Sequence, residues 1–390
     1  MDQNIDLTDI RLYLDRKEHS VFEQLRRHKP VSFQPEPDGP GYFAVMAHAE
    51  VRRVLMNAKT FINGEGTALA DEPHRKGQER SMHTSDMPRH GQLRAVVADS
   101  FRKEAIARHA PMVHAVVTDI LDTLPRGEKF DFVDRVARRI PMIVLAKVLG
   151  VPDDMREQIV AWGDLFSDTT ADVTERRNAF VEIARYLPAL IARKAADPQD
   201  DLMSVLVKAR IDGEPLSLTQ IQNLFGLLIT AGNETTRFLL AGAMEKLALS
   251  PELANELYAN PGLIPDAVDE FVRWIAPVRH MRRTAAENTE IGGVPVKAGD
   301  KVVVFFASAA RDAAVFEHPD DVRFDRKPNN HLGFGVGPHF CVGMHLAKLE
   351  AVVFFEEWFS RFRRLSINGL GERLPSYWFN GLARLDVTVE

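Results

Sequence analysis

The residues best placed to do chemistry are Gly333-Phe334-Gly335-Val336-Gly337-Pro338-His339-Phe340-Cys341-Val342-Gly343. Cys341 is the only cysteine among 390 residues, so no intrachain disulfide can form. The segment behind it, Met344 to Phe355, has the apolar spacing of a helix. The sulfur therefore sits at or just before a helix N-terminus, where the macrodipole and free N–H groups favour thiolate over thiol. Gly335, Gly337 and Gly343 let the backbone lie close to a flat, bulky group and supply N–H groups near the sulfur. Such a thiolate is a good single axial ligand for a haem iron, to which it donates electron density. The alternative for a lone cysteine is simple core packing.

A second constellation is Ala231-Gly232-Asn233-Glu234-Thr235-Thr236, which puts a glycine, a carboxylate and hydroxyls inside a helical pattern. Those types are costly there. The Thr235 hydroxyl can bond the carbonyl of Ala231 or Gly232, loosening the helix and leaving a groove. A kinked, buried helix with satisfied polar groups is the plainer reading. His90 and Arg94 are four apart and share one helical face. An arginine fork suits a carboxylate, although the same spacing also makes a solvated stripe. Glu270 and Arg273, three apart, have the spacing of a common ion pair.

These residues need rigid elements beneath them. A helix of about 33 residues, roughly 50 Å long, is expected from Ser217 to Leu249. Two overlapping capping boxes open it, Ser217 with Gln220 and Thr219 with Gln222, and Pro251 closes it. Its middle is apolar on nearly every face, but Asn233, Glu234 and Arg237 argue for a buried central helix over a membrane span. A helix is expected over Ser20 to Arg27, and strands at Phe43-Ala44-Val45-Met46 and Val302 to Phe306. Residues 62 to 86 are polar and aperiodic, which in a compact protein points to function. Pro88 favours the start of the helix that carries His90. Successive amphipathic helices fill 110 to 210, one of them stopped by Gly150 with Pro152 beyond. Asp212 to Pro215 form a turn. After Pro277 the chain is extended, with a turn at Gly292-Gly293, and Tyr377 to Leu382 form an aromatic turn.

Composition sets limits. Lys and Arg total 49 against 55 Asp and Glu, net −6, with neither sign segregated. Nucleic acid is therefore an unsuitable partner. Met1 to Asp6 lack a basic and an apolar leader region, so neither secretion nor a membrane anchor is expected. A single thiolate suits a reducing cytoplasm. The length exceeds that of a usual domain. Without linker or repeat, it implies two packed lobes or one large domain around a cofactor. The first ~20 residues are expected to be less ordered.

Phe-Gly-x-Gly-x-His-x-Cys-x-Gly resembles the haem-ligand signature of the cytochrome P450 family, with every constrained position filled. His-x-x-x-Arg at 90–94, Ala-Gly-x-Glu-Thr-Thr at 231–236 and Glu-x-x-Arg at 270–273 also follow that family's order, so the resemblance spans about residues 20 to 390. It implies a mainly α fold with a small β region and one domain over 1–390, with haem b between the long helix and the cysteine loop. Cys341 would hold the iron. Phe334, Gly335 and Ala231 would touch the haem, and His90, Arg94, Arg283 and His339 its propionates. Glu234, where the family more often has Asp, and Thr235 would deliver protons. Val278, Leu228, Gly232 and Phe379 would meet substrate. Residues 62–86 would cover the pocket, and Ala161–Asp168 and Phe180–Lys194 would roof it. Glu270 and Arg273, joined by Arg326 or else Arg323, would be structural.

The implied reaction inserts one oxygen atom from O₂ into an apolar small molecule, by hydroxylation or epoxidation. Electrons would come from NAD(P)H through a ferredoxin reductase and a ferredoxin, the latter docking near Arg102, Lys103, Lys327 and Lys348. The protein would be a cytoplasmic monomer free of membrane and nucleic acid. Terpenoids, steroids or lipids are the favoured substrates. The rivals are a peroxide-driven haem-thiolate enzyme and a haem-binding sensor or carrier without turnover.

Arg279 stands apart. If 279–283 is extended, alternation puts Arg279, Met281 and Arg283 on one face. Arg279 would then point into the cavity above the haem. Its partner would be a substrate carboxylate or, alternatively, a propionate or a nearby acidic residue.

Overall fold

A computed structural model describes residues 5–36, 39–70, 79–167 and 172–390. The chain divides into two compact units.

The first unit comprises Met1–Met87, Asp266–Cys341 and Arg373–Gly381. Its centre is a five-stranded sheet in the order Val31–Gln34, Tyr42–Val45, Lys301–Phe305, His280–Ala285 and Phe61–Ile62. Lys301–Phe305 runs parallel to Tyr42–Val45, with Val304 opposite Val45, and antiparallel to His280–Ala285, with Val302 opposite Arg283. All five residues of Lys301–Phe305 are buried, as β-branched side chains in a covered central strand should be. The expected strands are thus present, except that Met46 lies just past Tyr42–Val45 and Phe306 already begins the short helix Phe306–Ala309. The N-terminal stretch is also more ordered than its sequence suggests. From residue 5 it is folded, with Tyr13 fully buried, its hydroxyl donating to the Leu7 carbonyl at 2.7 Å.

The second unit comprises Pro88–Pro265, Val342–Glu372 and Leu382–Glu390, and is mainly helical. Its longest helix, Leu218–Leu249, has 32 residues. Ser217 caps it through the reciprocal bonds with Gln220. The second expected box is absent: Thr219 lies inside the helix, and Gln222 donates to the Ala184 carbonyl. Arg139–Leu149 ends at Gly150, whose φ of +77° is the left-handed cap that glycine accommodates best. The two proposed roof segments lie in the longer helices Asp153–Ser167 and Val173–Ala196, and Asp168 falls outside the described residues. An aromatic cluster holds this unit together, with Phe132 against Phe354 and Trp358 at ring separations of 5.7 and 5.6 Å. Among the described residues, no helix is long and apolar enough to cross a membrane.

Candidate active site

In the first unit, the cysteine loop is shaped by its own backbone. The N–H of Gly335 donates to Leu332 at 2.8 Å, that of Phe340 to Gly337 at 3.1 Å, and that of Cys341 to Phe334 at 2.9 Å. Gly335 and Gly337 have φ of +70° and +79°. A Cβ on Gly337 would stand 2.6 Å from the Leu55 carbonyl, so glycine is needed there twice over. A Cβ on Gly335 would meet nothing closer than 3.8 Å, which leaves that face of the loop open to a flat group. Gly343 has an ordinary φ of −83° and is the N-cap of Met344–Arg361. Cys341 is therefore exposed and just ahead of a helix start, where a thiolate is favoured.

Beside the loop, Asp86 accepts the backbone N–H groups of Asn63 at 2.7 Å and Gly64 at 3.0 Å. Asn63 Nδ2 lies 2.9 Å from the His83 carbonyl and 3.3 Å from Nδ1 of His339. Arg283 is buried and donates to the carbonyl of Arg282 at 2.8 Å. Burial pushes its guanidinium down to about 10, with Asp86 partly offsetting the loss. No ion pair serves Arg283 among the described residues, and a buried cation in that state calls for an anion. The site therefore fits a haem: an exposed thiolate ligand, an open glycine face and a cation suited to a propionate.

In the second unit, His90 and Arg94 lie one turn apart on the helix Arg89–Ala98, His90 buried and Arg94 half-buried. On the long helix, Thr235 Oγ1 donates to the Ala231 carbonyl at 2.9 Å, and Thr230 does the same to Gly226 at 2.7 Å. The helix nonetheless stays continuous, so the expected loosening is no break. Ala231 is its one exposed residue between Ile221 and Ala248, and Thr235 is half-buried one turn on. Glu234 is buried, with its carboxylate 3.7 Å from the Arg237 guanidinium. A Cβ on Gly232 would lie 3.1 Å from Leu145, so this face packs on the helix Arg139–Leu149, and Leu228 one turn earlier is buried. At 100° per residue, the accessible stripe runs instead through Leu227, Ala231 and Thr235.

The Glu270 network is fully assembled. Arg273 grips both carboxylate oxygens at 2.7 and 2.8 Å, and Arg326 Nε lies 3.3 Å from each. Arg323 contributes its backbone N–H at 2.9 Å, while its side chain turns to Asp325.

Arg279 meets the second of its two expected kinds of partner, protein groups with an acid nearby. The strand begins at His280, so alternation does not govern the residue before it. Its side chain is 1% exposed and donates to the carbonyls of Ser376 and Phe379 and to Asn380 Oδ1. The guanidinium stacks 4.5 Å from the centre of the Tyr13 ring and lies 3.9 Å from Glu18. Both Nη atoms are thus taken up by protein oxygens. Val278, by contrast, is half-buried and bridges to Phe379, which stacks on Trp378 at 4.8 Å.

The family model described as Cytochrome P450 matches residues 262–384. A protein of Mycobacterium tuberculosis carrying the cytochrome P450 126 name is 37% identical, with 98% of this chain and 97% of that protein covered. The chain belongs to the cytochrome P450 family. The linalool 8-monooxygenase of Pseudomonas putida is 31% identical, with 98% of each covered. A Mycobacterium marinum cytochrome P450 solved in complex with pseudoionone superposes with a TM-score of 0.92 at 30% identity, covering 99% of this chain and 98% of that one. This P450 is accordingly an oxidoreductase, a haem-iron monooxygenase using O₂ on apolar molecules.

Several residues of this P450 escaped sequence reasoning. Glu350 is wholly buried, and burial lifts its carboxyl well above the usual range although a bond from Thr236 opposes the shift. A single acid inside the apolar run Leu349 to Phe355 was the available signal. Asn233 donates to Asp164 at 3.0 Å, and Arg138 holds the other oxygen of that carboxylate at 2.7 Å. No local pattern marks that link.

Proposed function

We propose that the two units form one domain binding haem b, in which Cys341 would hold the iron and the substrate is a terpenoid, steroid or lipid-like molecule. The observation carrying this reading is the exposed Cys341 on its glycine-shaped loop in a member of this family. Thiolate-ligated haem supplies the electron-transfer and dioxygen chemistry of the reaction. The chain's own residues do the rest. His90, Arg94, Arg283 and His339 would anchor the propionates, and Phe334, Gly335 and Ala231 would line the ring. The accessible Thr235 hydroxyl, held by its bond to Ala231, passes a proton at Oγ1, and the Glu234 carboxyl resupplies it. Val278 and Phe379 of the first unit, and Leu227, Ala231 and Thr235 of the second, would each offer an apolar substrate a contact. The terpenoid lean is supported by a relative named for linalool and a neighbour solved with pseudoionone.

Electrons would arrive from NAD(P)H through a ferredoxin reductase and a ferredoxin, with the P450 acting as a monomer in the cytoplasm. Of the candidate docking charges, Arg102 pairs with Asp99 at 2.8 Å and Lys327 with Asp266 at 3.0 Å. Lys103 is therefore a better candidate than either of these two. The test is purification with haem and surrogate redox proteins, following product from a terpenoid panel. Product formed with O₂ and NAD(P)H in a one-to-one ratio supports the reading. Oxidation driven by peroxide alone would replace it with a peroxygenase.

A further inference from the structure

The irregular segment after Ile62 carries one side chain whose hydrogen bonds can be worked out atom by atom. Asn63 is 2% exposed, and its backbone is clamped by Asp86, which accepts its N–H and that of Gly64. A Cβ at residue 64 would run into the Asp86 carboxylate and the Arg80 guanidinium, so glycine permits the clamp. A turn bond from Gly66 N–H to the Asn63 carbonyl, 2.9 Å, closes the loop. The amide is thus presented on a rigid base.

Its orientation follows from its partners. The His83 carbonyl, 2.9 Å away, can only accept, so the amide nitrogen must face it. Rotating the amide by 180° would set oxygen against oxygen and lose that bond. The second hydrogen of the same nitrogen then faces Nδ1 of His339 at 3.3 Å. A donor there requires Nδ1 to be the acceptor of the ring. In a neutral imidazole the proton must then sit on Nε2.

We propose that Asn63 is a positioning residue of the haem site: it fixes His339 as the Nε2–H tautomer, the form that can donate from Nε2 to a haem carboxylate. The inference rests on His339 being a propionate partner. The same Asp86 that clamps Asn63 also faces Arg283 electrostatically. The carboxylate that clamps Asn63 thus also offsets part of the burial penalty on the Arg283 charge. Orientation of a cofactor-holding imidazole by a hydrogen bond to its other nitrogen is a general device.

The test uses the haem-loaded protein with ¹⁵N-histidine, reduced and bound to carbon monoxide so that it is diamagnetic. The His339 signals are identified by their loss in His339→Gln. The expected result is a proton on Nε2; a proton on Nδ1 in the unaltered protein overturns the inference. Asn63→Asp is nearly isosteric but can only accept, so it should move the proton to Nδ1 and speed haem transfer to apomyoglobin by about tenfold. An unchanged tautomer and transfer rate in that variant also overturns it. Should Asn63→Asp not fold, the tautomer of the unaltered protein decides alone. His339→Gln reads the underlying assignment separately. If haem transfer is no faster in that variant, the propionate role of His339 fails, whatever the tautomer.

Discussion

Arg279 and Asn380, 101 residues apart, are joined by a 3.0 Å bond from guanidinium to amide oxygen. Asn380 in turn donates to the Ile275 carbonyl, and its backbone N–H to Pro277 at 2.9 Å. The pair ties the aromatic turn to the segment 275–277 that leads into the strand carrying Arg283. Glu18, fully buried 3.9 Å from Arg279 and 3.7 Å from Arg373, balances the charge.

Arg279→Leu should therefore act on stability, not on recognition of acids. It removes the donor to two carbonyls and one of two cations beside a buried carboxylate, a class of change that costs about 3–5 kcal/mol. Urea unfolding should show this loss, and carboxylated and neutral ligands should weaken together. Selective loss of the acids would restore the substrate-carboxylate role.

Cys341→His should abolish the red-shifted Soret band of the reduced, carbon monoxide-bound protein. That band reports a thiolate on the iron, and no other cysteine exists to replace it. An unaltered spectrum would remove Cys341 from the iron.

Thr235→Ala should leave the helix intact, because the lost bond to Ala231 is an addition to the helical ladder. Product per NAD(P)H should fall, with peroxide or water made instead, and product formation should slow by ~10²-fold or more. Unchanged coupling would reduce Thr235 to a local helix contact.

Stability should fall on the acid side. Burial pushes His280 down to about 3, from 6.5, with the neighbouring Arg279 opposing its protonation further. The unfolded chain then binds a proton below pH 6.5 that the folded one refuses. The stability is complete above 6.5 and declines towards pH 3, by about 1.4 kcal/mol per pH unit for this group. His280→Phe, which can keep the packing against Tyr377 and Phe305, should flatten that limb. An equally steep acid limb in the variant would assign the decline to other groups.

The sequence alone determined the parts that rest on local chemistry. Ser217 with Gln220 marks a helix start because the two side chains satisfy nearby backbone donors. Gly150 marks a helix end because its backbone must turn left-handed. The glycines around Cys341 mark a tight loop for the same reason, and the order of the four motifs was enough to identify the family. Tertiary structure decided what depends on distant partners. Arg279 looked available because alternation was carried one residue past the strand, and only folding brings Ser376, Phe379, Asn380 and Glu18 around it. Gly232 faces Leu145, 87 residues upstream, a direction that helical spacing cannot specify. Asn63 lies 276 residues before His339, and a polar side chain in an irregular loop carries no period that would announce its partner. Hydrogen-bond geometry between such residues exists only once the chain has closed on itself.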